Sequence, residues 1–171
     1  MPCELCPPNS SVDIEGGFRI ELIDCILNNN NRQFKYEVTP VADPDTIKDI
    51  SNILGCLCQE AFVSCNVEVT SPDPEKPPKC EFETNPNASG NPIACQGVKF
   101  ENLGENKIPG SVITLFITVN DNLTTVVPDF TIAYKAGQLN FVWNVCGPDC
   151  NGNGPIPPSG RRRRGIEFVN K

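Results

Sequence analysis

The stretch SVITLFITV, residues 111–119, is the most apolar segment of the 171-residue chain. Its valines, isoleucines and threonines suit a pleated surface, so we predict that it forms a central strand of a sheet. The rest of the composition agrees. Seventeen prolines and thirteen glycines accompany an apolar content that is largely Val, Ile and Phe, and runs of helix-forming residues are missing. We therefore predict an all-β domain.

Segments on both sides of this strand show the alternation of apolar and polar residues that is typical of half-buried strands. Pro128 implies that its strand lies at an edge or carries a bulge, and residues 46–57 predict a short helical turn or an irregular crossover. The predicted strands are residues 17–27, 33–38, 61–70, 81–84, 97–101, 111–119, 125–135 and 138–145. About eight short strands separated by turns predict a β-sandwich or jelly roll.

The chain divides by composition into three parts. Residues 1–13 predict a flexible N-terminal arm, and residues 14–150 predict one sandwich domain, which is long enough to bury a core. The proline-rich residues 71–78, SPDPEKPP, predict an exposed loop rather than a domain boundary. Residues 151–171 form a Gly/Pro/Arg-rich tail, in which residues 166–169, IEFV, could add a last strand.

Charge and residue usage exclude several classes of function. The net charge of −7 argues against nucleic acid as a partner. The one basic run is Arg161, Arg162, Arg163 and Arg164, which predicts either a solvated charge block or a contact to an acidic neighbouring surface. The chain has no histidine, which excludes Ser-His, Cys-His and His-metal sites, and we predict that it is not an enzyme.

Ten cysteines, an even number, predict a set of disulfides and an oxidising setting. Three close pairs, CELC (3–6), CLC (56–58) and CGPDC (146–150), leave a zinc site as an alternative, although we predict no cofactor. The first residues lack the cationic start and the apolar run of a secretion signal. We expect an extracellular location, on a spore or cell surface, reached without a cleavable signal peptide and without a membrane span.

Cys3 and Cys6 stand on the arm, followed by Pro7 and Pro8 rather than by the helix that a redox motif needs. They could link to another subunit, bond within the chain, bind metal or remain free. An intersubunit disulfide is attractive because a flexible arm raises the concentration of its thiols near a docked neighbour. The other cysteines are candidate acceptors or intrachain partners, and their connectivity cannot be read from sequence: Cys25, Cys56, Cys58, Cys65, Cys80, Cys95, Cys146 and Cys150.

Two placements of the body cysteines can be predicted. Cys65 should point inward, whereas Cys25 should lie on the face opposite Phe18 and Ile20 unless a bulge intervenes. Cys146 and Cys150 bracket a turn and could pair locally.

In outline the sequence resembles the bacterial endospore appendage (spore pilus) subunits, which are cysteine-bearing jelly-roll proteins without a signal peptide. The matching features are Met1 without a signal, Cys3 and Cys6 on a short arm, the eight predicted strands and the scattered body cysteines. Residues 138–150, QLNFVWNVCGPDC, would suit such a body. The resemblance implies that Cys3 and Cys6 bond to other subunits. We expect a structural subunit that forms a homo-polymeric, helical filament by strand augmentation and disulfides.

The alternative is a monomeric surface adhesion or carbohydrate-binding module. It would use loop residues on a shared rim: Asp43, Asp45, Asp73, Asn85, Asn87 and Tyr134. An exposed aromatic platform would favour it, but Trp143 lies on an apolar strand face and is predicted to be in the core.

Overall fold

A computed structural model of the chain describes residues 3–150. Ten strands in this part form two antiparallel five-stranded sheets, which confirms the prediction of an all-β sandwich. The strands are β1 (Val12–Glu15), β2 (Phe18–Asn28), β3 (Asn31–Pro40), β4 (Ile50–Cys56), β5 (Phe62–Val69), β6 (Lys79–Glu83), β7 (Gly97–Glu101), β8 (Ile113–Asn120), β9 (Thr124–Ala136) and β10 (Leu139–Cys150). The first sheet has the order β1-β2-β3-β8-β5 and the second β10-β9-β4-β7-β6, a jelly-roll-like arrangement.

The core lies between the inner faces of the two sheets. The alternation in β2, β3 and β8 places one face of each strand inward, and the buried residues of these strands are almost all apolar or aromatic. Trp143 is fully buried, as predicted, and its indole N–H donates a hydrogen bond to the carbonyl of Phe18 at 3.1 Å. The Tyr134 ring packs against Trp143 of its own sheet at 4.4 Å between centroids and edge-on against Phe18 of the facing sheet at 5.6 Å, so aromatic contacts join the two sheets.

Contacts between edge strands close both sides of the sandwich. On one side, the backbone N–H of Asn144 in β10 donates to the Asp13 carboxylate of β1 at 2.8 Å. On the other side, the Cys65–Cys80 disulfide joins β5 to β6, and the rings of Phe62 and Phe82 lie 5.3 Å apart. Edge strands are therefore covered by neighbours from the facing sheet, one of the ways in which β-proteins protect such edges.

A loop, residues 84–96, covers part of the outer face of the second sheet. The Cys56–Cys95 disulfide holds it there, and the ammonium of Lys99 donates to the Ser89 carbonyl at 3.0 Å. Leu54, Cys56 and Cys95 form a small second core under this loop. Both faces of β4 are therefore buried, which explains why the sequence of this strand shows no simple alternation.

Two sequence predictions of local structure need correction, and a third, for Pro128, agrees with the structure. Residues 50–56 form an interior strand instead of a helical turn or crossover. Residues 12–15 form β1, which begins inside the predicted arm of residues 1–13, and the Gly16-Gly17 turn joins β1 to β2 with Glu15 opposite Phe18. Pro128 lies in the part of β9 that pairs with β10 alone, opposite an irregularity in β10 between Val145 and Gly147, which agrees with the prediction of an edge or a bulge.

Residues 3–150 contain no helix that is long and apolar enough to cross a membrane. The predictions for the tail, including a strand at residues 166–169 and the arginine run, lie outside the described residues.

Candidate functional site

The arm, here residues 3–11, lies against its own domain and is held there by two disulfides. Cys3 is bonded to Cys25 of β2, and Cys6 is bonded to Cys146 of β10. The side chains of Cys3 and Cys6 are only 3% and 4% exposed. The expectation of a flexible arm with few neighbours in its own chain is therefore wrong, and a single chain adopts the intrachain alternative for both cysteines.

Local structure at β2 positions Cys25 for this bond. The register of β2 against β3 shifts between Leu22 and Asp24, so Cys25 lies opposite the buried Phe34. This is the bulge that the sequence left open, and it turns Cys25 toward the side where the arm docks. The guanidinium of Arg32 lies 3.5 Å from the Cys25 sulfur and also contacts the Asp121 carboxylate at 2.8 Å.

Local structure at β10 positions Cys146 in a similar way. The hydroxyl of Tyr36 donates to the Cys146 carbonyl at 2.9 Å in the buried core. Gly147 follows, where an added Cβ would lie 2.5 Å from the Tyr36 hydroxyl oxygen and 2.5 Å from the Phe130 ring. Only glycine fits at this position without movement of the core, so the backbone beside Cys146 is fixed.

Few hydrogen bonds accompany the two disulfides. The Cys146 N–H donates to the Ser10 carbonyl and the Leu22 N–H to the Ser11 carbonyl, both at 2.7 Å. The Cys6 N–H closes a turn onto the Cys3 carbonyl at 3.1 Å, and Leu5 between them is 58% exposed. The arm is therefore held by two covalent bonds, the packing of two sulfur atoms and two backbone bonds to the strands. We call Cys25 and Cys146 the two arm sockets.

The other six cysteines form three bonds within the body, Cys56–Cys95, Cys58–Cys150 and Cys65–Cys80. The predicted local pair Cys146–Cys150 is wrong, because each of these cysteines bonds to a distant partner. Cys65 is partly buried and bonds across to the facing sheet, so its predicted inward direction is correct. The members of the three candidate zinc pairs are divided among four disulfides, and residues 3–150 contain no group of three His, Cys, Asp or Glu residues that could hold a metal ion.

A second feature is a cleft of about 750 Å³ at the end of the sandwich where β4 begins, here called the polar cleft. Its lining includes Asp49, Asp73, Lys76 and Glu105, which come from three separate segments. The Asp49 carboxylate is fixed by the backbone N–H groups of Asn106 and Lys107, each at 2.9 Å. Sequence reasoning did not bring these residues together, since no local pattern shows that the three segments meet.

The rim predicted for a binding module does not form. Asp43 caps a 3-10 turn after β3 and Asp45 lies within that turn, and of the predicted rim residues only Asp73 lines the polar cleft. Asn85 and Asn87 follow β6, whose last residue Glu83 pairs with Gly97 beside Cys56 at the opposite end of the sandwich. Tyr134 is buried in the core, where its hydroxyl donates to the carbonyl of Glu15.

Burial raises the pKa of both tyrosines, Tyr36 and Tyr134, and Glu15 contributes further to the shift at Tyr134.

Five disulfides fit an oxidising, extracellular setting. No known protein family matches the chain, and a search of the curated proteins finds no relative.

Proposed function

We propose that the protein is a structural subunit of a disulfide-cross-linked extracellular bacterial filament, a pilus-like fibre or spore-surface appendage. The observation that supports the proposal is the arm: a short terminal segment held by two disulfides and two strand hydrogen bonds. An identical arm from a second copy would offer the same two thiols and the same two carbonyls to Cys25, Cys146 and their strands. Exchange of an identical element between copies is a low-cost route to assembly.

The chemistry of this exchange is balanced without an external oxidant. A small external thiol, such as glutathione, first opens the Cys6–Cys146 bond of one copy by forming a mixed disulfide with Cys146 and releasing the Cys6 thiolate. This thiolate attacks the Cys146 sulfur of another copy, and a new disulfide forms between copies. The resident Cys6 leaves as a thiolate and can attack the next copy. One disulfide breaks for each that forms, so exchange costs no bond energy, and its equilibrium is set by the concentration of neighbours relative to the tethered arm.

Arm exchange also connects the disulfides to strand augmentation. In the single chain, Ser10 and Asp13 accept the N–H groups of Cys146 and Asn144 along β10. When the arm leaves, the Cys146 N–H loses its acceptor and requires another. The arm of a neighbour would restore this bond in the same register, so the covalent link and the hydrogen bonds would form together.

Non-reducing gels of the assembled protein in hot detergent test this function. The wild-type chain should give a ladder that collapses to monomer on reduction. A variant with all four cysteines of the two arm disulfides changed to alanine, Cys3, Cys6, Cys25 and Cys146, should give monomer alone. The matched control changes Cys56, Cys95, Cys65 and Cys80 to alanine, so it also loses two disulfides and leaves no new thiol, but it keeps its arm and should retain the ladder. A ladder that persists in the arm variant, or a wild-type chain that never leaves the monomer position, would contradict the proposal.

A monomeric surface adhesion or carbohydrate-binding module is the second candidate, and the polar cleft is the observation that favours it. Its volume is in the range of small-ligand sites, and its carboxylates can accept hydrogen bonds from sugar hydroxyls. This function predicts a monomer on non-reducing gels, with glycan binding that is lost in Asp73→Ala. The same gels therefore separate the two candidates.

A further inference from the structure

The geometry points to the polar cleft as the docking site for the arginine run, residues 161–164, of a second copy of this chain. The inference deepens the proposed function and rests on it for its partner, since a filament needs a contact between subunit ends. It gives a role to the only basic run in the sequence.

Charge separates sharply between the body and the tail. Residues 151–171 carry five basic side chains and one acidic side chain, a net charge of +4, which leaves −11 for residues 1–150 of a chain whose total is −7. The polar cleft concentrates part of this negative charge in a concave surface, with three carboxylates against the single ammonium of Lys76. Arginine is the cation best suited to such a site, because its planar guanidinium binds carboxylates in a bidentate manner.

The spacing of the charges also fits. The three carboxylates stand on separate segments around the cleft, at Asp49, Asp73 and Glu105, so their charges are distributed over its walls. Four consecutive arginines in an extended chain place their side chains along about 10 Å. Such a run can reach several walls of the cleft at once.

The chemistry beyond the arginines matches a neighbouring depression. A smaller hollow of about 400 Å³ adjoins the cleft and shares Ser71 and Glu105 with it. Its lining includes Ile108, which is 47% exposed, and Pro109. The tail follows its arginines with the apolar side chains of IEFV, residues 166–169. A basic run followed by an apolar run therefore meets an acidic cleft followed by a partly apolar hollow.

The position of Cys150 favours a second copy over the chain's own cleft. Ile50 in the cleft lies beside Ala136 at one end of β9, and Cys150 lies opposite Thr124 at the other end. The thirteen residues of β9 separate these points by about 40 Å. The eleven residue steps from Cys150 to Arg161 reach at most about 40 Å at full extension, whereas a flexible chain of that length spans about 20 Å on average. The tail would reach its own cleft only near full extension, which costs conformational entropy, so the cleft of a second copy is the favoured docking site.

Charge reversal and rescue in the full-length protein test the inference. Sedimentation velocity would be measured at low and high ionic strength, with thiols blocked by iodoacetamide so that no covalent exchange contributes. The wild-type chain should form end-to-end oligomers that dissociate in high salt, because exposed ion pairs are screened. Changing all four arginines to Glu, or making Asp73→Lys/Glu105→Lys in the cleft, should weaken association at least about tenfold.

The rescue separates a direct contact from a general charge effect. A chain that carries both the reversed tail and the reversed cleft should regain association, because the opposite charges face each other again. The matched control, Glu68→Lys/Glu81→Lys, makes the same change in charge at exposed positions outside the cleft and should associate like wild type. Association that neither reversal alters, or that the combined chain does not regain, would overturn the inference.

These results stand apart from those for the proposed covalent polymer. Loss of the ladder on non-reducing gels with intact salt-sensitive association would refute the arm disulfides but support the tail contact. An intact ladder without salt-sensitive association would support the arm disulfides but refute the contact between the tail and the cleft.

Discussion

Removal of the Cys6–Cys146 disulfide should lower the free energy of unfolding by about 4 kcal/mol. The two cysteines are 140 residues apart in sequence. In the unfolded variant, however, the disulfides Cys3–Cys25 and Cys58–Cys150 remain. Through these two bonds, positions 6 and 146 are connected by only about 40 residues of chain. The entropy of closing a loop of about 40 residues gives the expected loss of about 4 kcal/mol. Alanine is the substitution of choice at both buried positions, because a serine hydroxyl would need a partner there.

Guanidinium unfolding of Cys6→Ala/Cys146→Ala without reductant measures this change, and the m-value should rise because the unfolded chain expands. The control Cys65→Ala/Cys80→Ala opens a bond with a sequence separation of 15 and should cost about 3 kcal/mol. Only the first variant should also speed hydrogen exchange at the backbone N–H of position 146, which donates to the Ser10 carbonyl in the wild-type chain. A decrease of less than about 1 kcal/mol in the free energy of unfolding, or free thiols in the folded wild-type chain, would refute the intrachain bond between Cys6 and Cys146.

Two further predictions concern the cleft and the core. The buried side chain of Asn106 forms hydrogen bonds with both the N–H and the carbonyl of Ile50. Asn106→Ala should therefore lower the free energy of unfolding, measured with chemical denaturant, by about 2–4 kcal/mol and loosen the wall of the polar cleft. A change within experimental error would contradict this role of Asn106. Burial raises the pKa of Tyr36 and Tyr134 above the unfolded value of about 10, so stability should be complete below that pH and fall above it. Phenolate absorbance should appear only as the chain unfolds, and reversible titration of either tyrosine near pH ~10 in the folded state would refute the assignment.

The fold was largely predictable because most strands bury one face and leave alternation in the sequence. Residues 97–101 match β7 at both ends, and the apolar residues 111–119 identify the interior strand β8. β4 escaped prediction because a distant loop covers Leu54 on the face that would otherwise be solvated. β1 escaped because its Val12 and Ile14 remain partly exposed, although the Gly16-Gly17 pair beside it is a recognisable turn signal.

The candidate site was predictable only in part. The sequence identifies Cys3 and Cys6 as unusual, but it cannot show that Cys25 and Cys146 lie under the arm. That arrangement depends on a bulge in β2 and on the packing of β10 beside β1, both of which are set by contacts between distant residues. The polar cleft is hidden for the same reason, because Asp49 and Glu105 meet only after the sandwich has formed.

Isotope labelling reports directly on which molecule each arm sulfur joins. Equal amounts of light and nitrogen-15-labelled chain would be assembled together, digested without reduction and examined by mass spectrometry for the peptide pair that contains Cys6 and Cys146. Arm exchange predicts mixed light–heavy pairs in about half of these linked peptides in the polymer, as random partners require. Pairs that are exclusively light–light and heavy–heavy would show that every arm stays on its own chain and would contradict the account.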